Sequence, residues 1–454
     1  MFVSVHHEIH DQELFSEKVS RMPPAPDTMC RHQFVTALDH TEAACLWEVH
    51  SIDELRSYID PALEPSSTQR YFQVFEEQAV GLPGSQLPAH RSSKNGSAAP
   101  ETSRAALDPD RLQDFLNRFG ADQAAAMHAA TVVIGDKLGL YKAMFELGAA
   151  TAEELAETTG CHPRLVREWA NAQVASAYCQ YDATQQRYWL TAEQAACLAD
   201  PESPTFVVGG ALVVNSVHQD AERVMAAFTA GGGLDWGEHH PDLFEGTRRF
   251  FEPAYRANLV EHWIPALDGM QERLEAGAHA ADIGCGHGAA LILLAQAFPK
   301  STFVGYDAHA ESVEAARKLA AEAAVDNRVS FETATASDFP GRGFDLICVF
   351  NALHEWGDPV SAARIIRHAL APDGIWMFTE PRTDDELVTS VRARTFYSVS
   401  TFVCTPSALS QDGPEALGAQ AGQDALRRVV TEAGFTRFRR AAETPTFMVL
   451  EARP

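Results

Sequence analysis

In the C-terminal half of the chain, short apolar runs alternate with longer stretches of mixed polarity, the pattern of strands followed by helices. Thr302 to Tyr306, Arg328 to Thr333, Phe344 to Val349 and Ile375 to Thr379 predict strands. Phe344 to Val349 is apolar on both faces and is expected at the centre of a parallel sheet. Ahead of them, the short segment ending at Asp282 and Ile283 feeds a turn containing Gly284, Gly286 and Gly288, and the apolar run Ala289 to Phe298 follows at once. That is a strand, a loop and a helix. Ser361 to Leu370 and Gln423 to Ala433 predict further helices, and Phe435 to Arg440 and Thr446 to Glu451 are two strands close in sequence.

The first 80 residues have a different rhythm. Phe2 to His6 alternate, Asp11 to Met22 is helical in pattern, and Gln33 to Leu38 and Ala43 to Val49 are extended. Ser51 to Ile59 is a helix with Ser51 and Glu54 at capping-box spacing, and Arg70 to Phe75 completes a βαββαβ order, the split-βαβ, ferredoxin-like α+β pattern. The region loosely resembles small ferredoxin-like proteins of unknown or nickel-linked function that often pair through their sheets. His6, His7, His10, His32, His40 and His50 gather here. Histidine is a common nickel or zinc ligand. Without an H-x-H or H-x-x-E-H spacing, solvated or strand-edge histidines are the simpler reading, and no metal is expected.

From Gly81 to Leu107 the chain is rich in Pro, Gly, Ser and Asn, with hardly a large apolar residue, which predicts a flexible linker. Helical patterns then run over Arg111 to Phe119, Ala121 to Leu138, Tyr141 to Leu147, Thr151 to Thr159 and His162 to Ala175. Strands around Tyr178 to Tyr181 and Arg187 to Leu190 flank a turn, giving a winged helix-turn-helix pattern. Domains are accordingly expected at 1–80, 109–200 and 268–454, with a linker at 81–108 and a connecting helical region at 201–267. That connection carries Gly231 to Gly233, then Trp236, His239, His240, Phe244, Phe250, Phe251 and Tyr255. Of these, Trp236, His239, His240, Phe251 and Tyr255 are candidates for lining an apolar acceptor pocket. The competing reading is aromatic packing between domains. Val388 to Ser410, an insertion with Phe396, Tyr397, Phe402 and Cys404, is a second candidate for the acceptor-side wall.

Composition narrows the field. The 454 residues are 46% hydrophobic and 22% charged, enough for a large core, and the formal net charge is -26. So acidic a chain repels phosphate backbones and anionic lipids, so no nucleic-acid or membrane partner is expected. The eight cysteines form no C-x-x-C pair and read as reduced thiols; with neither a secretory start nor a membrane-length apolar run, a cytoplasmic enzyme is expected.

The chemistry starts at the glycine turn. Its spacing, Asp282, Gly284, Gly286, Gly288, is D-x-G-x-G-x-G, with the third glycine one position earlier than in the G-x-G-x-x-G of dinucleotide enzymes. Glycines let a ligand approach the backbone, and the free N–H groups of the helix start favour a polar group there. Asp307 ends the next strand, some 20 residues on, where an acid can accept hydrogen bonds from ribose hydroxyls. This set resembles class I S-adenosylmethionine (SAM)-dependent methyltransferases. The resemblance covers roughly 109–454 and is most specific over 280–381. It implies a Rossmann-like, mostly parallel α/β sheet closed by a C-terminal antiparallel hairpin, with SAM as the methyl donor. It also implies an adenine contact from Asp338, with Phe339 against the ring.

Phe350 to Pro359 reads F-N-A-L-H-E-W-G-D-P, which resembles the L-H-D-W-x-D segment of small-molecule O-methyltransferases. The resemblance makes His354 the general base and Glu380, at the end of the next strand, its buttress. The chemistry agrees. Methyl transfer from a sulfonium chiefly needs near-attack alignment, and a hydroxyl acceptor must also lose a proton, which suits a histidine titrating near neutrality. A carboxylate beside the imidazole fixes its tautomer. The departures are Glu355 in place of Asp and the extra N-terminal domain. The same family uses its winged-helix region to dimerise and to close the active site, so a homodimer acting on a small-molecule acceptor is expected. Two other readings remain: a ligand-responsive DNA-binding regulator using Arg164 and Arg167, and a nicotinamide enzyme, which the glycine spacing disfavours.

Overall fold

A computed structural model describes residues 2–21, 25–26, 29–36, 42–49, 51–63, 66–74, 107–383, 387 and 389–454. The chain divides into two compact units, Met1–Leu107 and Asp108–Pro454. Most of the expected linker lies outside the described residues.

The first unit runs β1 (Phe2–Ile9), α1 (Gln12–Arg21), β2 (Met29–Thr36), β3 (Glu42–Val49), α2 (Ile52–Leu63) and β4 (Ser67–Val74). Its four strands form one antiparallel sheet in the order β2-β3-β1-β4. Because side chains alternate across a strand, Val3, Val5 and His7 share the covered face, where Cys45, Trp47, Leu55 and Ile59 pack. His6 and His10 are exposed, while His7 is buried with Nε2 3.3 Å from Cys45 Sγ. Burial, then the neighbouring His6, pushes its pKa down to about 4. The alternation therefore separates His7 from His6. His40, His50 and the His32 side chain lie outside the described residues, and no trio of metal-ligating groups occurs among the described residues of this unit.

The second unit opens with α3 (Pro109–Lys137), α4 (Leu140–Leu147), α5 (Ala152–Thr159), α6 (Pro163–Ala175), β5 (Gln180–Asp182), β6 (Arg187–Trp189) and α7 (Ala192–Leu198). The break expected at Gly120 does not occur. A lone glycine costs a helix only about 1 kcal/mol, and α3 is started firmly by Asp108, whose Oδ1 accepts from Asp110 N–H at 3.0 Å ahead of Pro109. Thr151 and Glu154 form the expected capping box. The strands are shorter than the pattern suggested, leaving Tyr178 and Cys179 outside them. Leu140, Met144, Leu155, Val166 and Trp169 make the core of this helical region.

Then come α8 (Val208–Gln219), α9 (Ala221–Ala230), α10 (Asp242–Asn258) and α11 (Met270–Ala276), leading into β7 (His279–Ile283), α12 (Ala289–Ala297), β8 (Thr302–Asp307), α13 (Ala310–Glu322), β9 (Val329–Thr333) and β10 (Phe344–Phe350). The chain finishes with α14 (Pro359–Ala369), β11 (Leu370–Pro381), α15 (Val391–Val399), α16 (Thr405–Ser410), α17 (Gly422–Glu432), β12 (Arg437–Glu443) and β13 (Phe447–Arg453). Seven strands form one sheet, β12-β13-β11-β10-β7-β8-β9, parallel from β11 through β9. β13 runs antiparallel to both neighbours, so the C-terminal hairpin closes the sheet. One face is covered by α12 and α13 with Leu259 and Trp263, the other by α14 and α17 over Ile347, Trp376 and Phe378. A fully buried side chain of this size contributes about 1.5–3 kcal/mol, so both faces are strongly held. No helix among the described residues is long and apolar enough to cross a membrane.

Candidate active site

β7 lies between β8 and β10, so the chain leaves it for opposite sides of the sheet, and ligands of such sheets sit beyond the carboxyl ends of the strands at that point. The glycine loop is there. Gly284 has φ +77°, and a Cβ on it would lie 2.9 Å from Ala352. Gly288 has φ +76°, but its missing Cβ faces the ring of Phe331 at 2.5 Å, so that glycine seats α12 on the sheet. Gly286 N–H donates to Asp307 Oδ2 at 2.7 Å, and His309 N–H donates to Oδ1 at 2.9 Å. These bonds fix the Asp307 carboxylate at the cavity wall. Burial nevertheless raises its pKa. Asp282 is 2% exposed, and its Oδ1 has no hydrogen-bond partner among the described residues. Burial and then Asp307 raise it well above the usual carboxylate range. Two buried acids, one with an unused oxygen, face the same space.

The register of the next two strands assembles the second group. Phe350 lies level with Thr379, so the turn that follows β10 meets the last residues of β11. A short 3₁₀ turn, Leu353–Glu355, carries His354, and Glu380 follows Thr379 directly. His354 Nδ1–H donates to Glu380 Oε2 at 2.6 Å. Both side chains are almost fully buried. Burial alone would lower the pKa of His354, but the charge of Glu380, then Cys404, outweighs it and raises it well above the histidine range. The pair thus stabilises an imidazolium. Nε2 looks the other way, 3.9 Å from Glu355 Oε1. Burial pushes the Glu355 carboxyl up to about 7, against the opposing pull of His354.

Both groups open on one cavity of about 1540 Å³. Its walls come from α3, α8 and α10, from the strand ends, and from the segment around α15 and α16. Asp282, Gly284, Gly286, Asp307 and His354 line it, as do Trp236, Phe251 and Tyr255. Glu380 stands behind His354 rather than on the wall. Phe251 and Tyr255 also pack against the sheet core, so both readings of the aromatic span describe part of the arrangement.

Four candidates sit elsewhere. His239 is buried with Nδ1–H donating to Asp220 Oδ2 at 2.9 Å, and His240 Nδ1 accepts from Asp242 N–H. Asp338 turns its carboxylate onto Thr335, and Phe339 packs on Tyr306 with centroids 5.3 Å apart. Gly288, too, is absent from the wall.

Phe244 of the aromatic span is also on the wall, and His309, which was not singled out from sequence, faces it with ring centroids 4.2 Å apart. Asn351 has φ +54°, and its position between the strand and the L-H pair was a usable signal. Phe402 and Cys404 of the 388–410 insertion also line the cavity, and Cys404 enters through a π-helical turn, Ser400–Cys404, between α15 and α16. Such turns often mark functional positions.

One contact ties the cavity walls together. Glu245 of α10 accepts from Arg248 and lies 3.7 Å from His287 in the glycine loop. Burial alone would raise its pKa, but these partners hold it at about 2.

Residues 274–434 match the methyltransferase-domain family, and residues 126–200 match the Rv2258c-like winged HTH domain. Neither match extends into the first unit. No curated protein matches the chain. Among solved structures, human N-acetylserotonin methyltransferase in complex with SAM is 17% identical, covering 77% of this chain and 99% of its own, with TM-score 0.55. The mitomycin 7-O-methyltransferase MmcR is 19% identical over 76% of this chain and 100% of its own, with TM-score 0.53. CalO1, a calicheamicin-biosynthesis methyltransferase with SAH bound, is 20% identical over 76% and 100%, with TM-score 0.52. At these identities the likeness is one of fold.

Proposed function

We propose that the chain is a SAM-dependent methyltransferase that methylates a hydroxyl of a small, largely apolar molecule, with His354 as general base. The observation that carries this is the His354–Glu380 pair, buried at register-matched strand ends and open to the cavity that the glycine loop also lines. SAM supplies the methyl group on a sulfonium.

The residues fit such a donor. Asp282 offers an unpartnered buried oxygen, Asp307 is held in place by two backbone N–H groups, and Gly286 leaves open the space that a Cβ would occupy. Asp307 would accept from ribose hydroxyls. His354 Nε2 would take the acceptor's proton while Nδ1–H keeps its bond to Glu380, whose charge stabilises the imidazolium formed. Trp236, Phe244, Phe251 and Tyr255 would hold a planar acceptor and exclude water, fixing its oxygen in line with the methyl carbon. A screen of phenols and aliphatic alcohols, with amine and thiol analogues, using methyl-labelled SAM and mass spectrometry tests this. O-methylation that collapses in His354→Ala supports it; methylation confined to amines or thiols, or indifferent to His354→Ala, overturns it.

The working unit is a homodimer formed through α3. Residues 109–120 are all exposed, and Leu112, Phe115, Leu116 and Phe119 lie at helical spacing among them. An apolar stripe of this kind is stabilised by a second copy rather than by water. On α6, Arg164 pairs with Glu168 and Arg167 with Glu153, which leaves little free positive charge for a phosphate backbone. Light scattering on the wild type and on Phe115→Glu with Leu116→Glu tests the dimer, since a monomeric wild type removes it.

A further inference from the structure

Cys404, brought in by the π-helical turn, places its thiol beside His354 and Glu355. One ligand atom from each of these three residues lies within 4.8 Å of the others. We propose that His354 Nε2, Cys404 Sγ and a Glu355 carboxylate oxygen form a binding site for a borderline-soft divalent cation, zinc in type, at the end of the acceptor cavity.

Four features of the site support this. The donor set mixes thiolate, imidazole and carboxylate, which suits zinc rather than calcium or magnesium. Three protein ligands leave a fourth position, and all three residues line the cavity, so that position opens toward the acceptor. Glu380 accepts from His354 Nδ1–H at 2.6 Å, the carboxylate–histidine arrangement that orients a ligating imidazole, and Nε2 faces Glu355 on the other side of the ring. Finally, one thiolate, one carboxylate and a neutral imidazole around a doubly charged cation sum to zero, which removes much of the penalty for burying ionised groups here. Binding displaces the Cys404 thiol proton, and any proton on Nε2, to solvent. No redox partner is required.

The site shares Nε2 with the base proposed above. A bound cation would therefore occupy the lone pair that must accept the acceptor's proton, and zinc would act as an inhibitor. Binding itself does not depend on the methyl-transfer reading; only the inhibition does.

The test uses the full chain and Co²⁺ as a spectroscopic stand-in for zinc. The wild type should show a thiolate-to-cobalt charge-transfer band in the near ultraviolet and visible d–d bands of a four-coordinate site, and Zn²⁺ should displace both. Cys404→Ser should lose the charge-transfer band. Glu380→Gln should weaken Co²⁺ binding about 10- to 100-fold. Calorimetric affinity for SAM serves as the check that each variant is folded. Absence of the band in the wild type, or its persistence in Cys404→Ser, overturns the site. Zn²⁺ inhibition of the wild type that a chelator reverses extends the proposal to regulation. Cobalt binding without any methyl transfer would instead remove the hydroxyl-acceptor reading and leave the metal site standing.

Discussion

The two walls of the cavity are built in different ways. The donor wall is backbone: a glycine loop and strand ends, with Asp307 pinned by Gly286 and His309 N–H groups. The acceptor wall is side chain: aromatic rings from α10, and Phe402 and Cys404 on a π-helical turn. Backbone walls tolerate few sequences, because a Cβ in the wrong place collides with the sheet. Side-chain walls tolerate many, because a ring of another shape merely reshapes the space. One chain can thus hold a common donor while its acceptor changes.

The largest separation of the two walls should come from His354→Ala. Turnover should fall about 10²- to 10⁴-fold, the usual contribution of a positioned base, while SAM affinity measured by calorimetry stays within a factor of two. Comparable losses in both would mean that the histidine holds the fold together rather than taking a proton. Gly288→Ala attacks the donor wall through its packing. The new Cβ meets Phe331 at 2.5 Å with φ at +76°, so overpacking and backbone strain together should cost about 2–4 kcal/mol. Urea unfolding gives the value, and an unchanged midpoint would show that the loop moves freely. Asp307→Ala should weaken SAM about 10- to 100-fold, by loss of charge-assisted hydrogen bonds worth about 1.5–3 kcal/mol. Its effect on the acceptor's KM at saturating SAM should be small, and an equal effect there would dissolve the distinction between the walls.

The same asymmetry explains what could be read in the sequence. The strands, the glycine turn and the closing hairpin were legible because parallel strands buried on both faces are continuous apolar runs and because a tight turn demands glycine. The His354–Glu380 pair was legible through its motif, and register explains why it holds, since Phe350 and Thr379 are level. His239 and His240 lie off the cavity wall, a direction that composition cannot show: Asp220 holds Nδ1 of His239 and a backbone N–H meets Nδ1 of His240. Asp338 lies off the wall in the same way, with Oδ1 accepting from the N–H and hydroxyl of Thr335. The helix break at Gly120 failed because local propensity is weak beside a well-capped, continuous helix. Cys404 was legible only as one residue of the 388–410 insertion, since a π turn has no residue pattern that announces how close it comes to His354.

The contact between the walls gives the smallest expected effect. Glu245 of α10 is held at a pKa of about 2 by His287 and Arg248, against its own burial, while its ordinary value is 4.5. A depressed carboxyl contributes stability that is complete above 4.5 and is lost as pH falls toward 2. Its side chain is 43% exposed, so solvent screening should leave about 1 kcal/mol of the ideal linkage value. Urea unfolding of wild type and Glu245→Gln should therefore differ by about that amount near neutrality, with the difference shrinking as pH drops from 5 to 3 by the same linkage. Taking the difference removes the other carboxyls of this acidic chain from the comparison. A gap that does not change with pH would mean that the Glu245 charge does not join the walls and that ring contacts such as Phe244 with His309 hold them together.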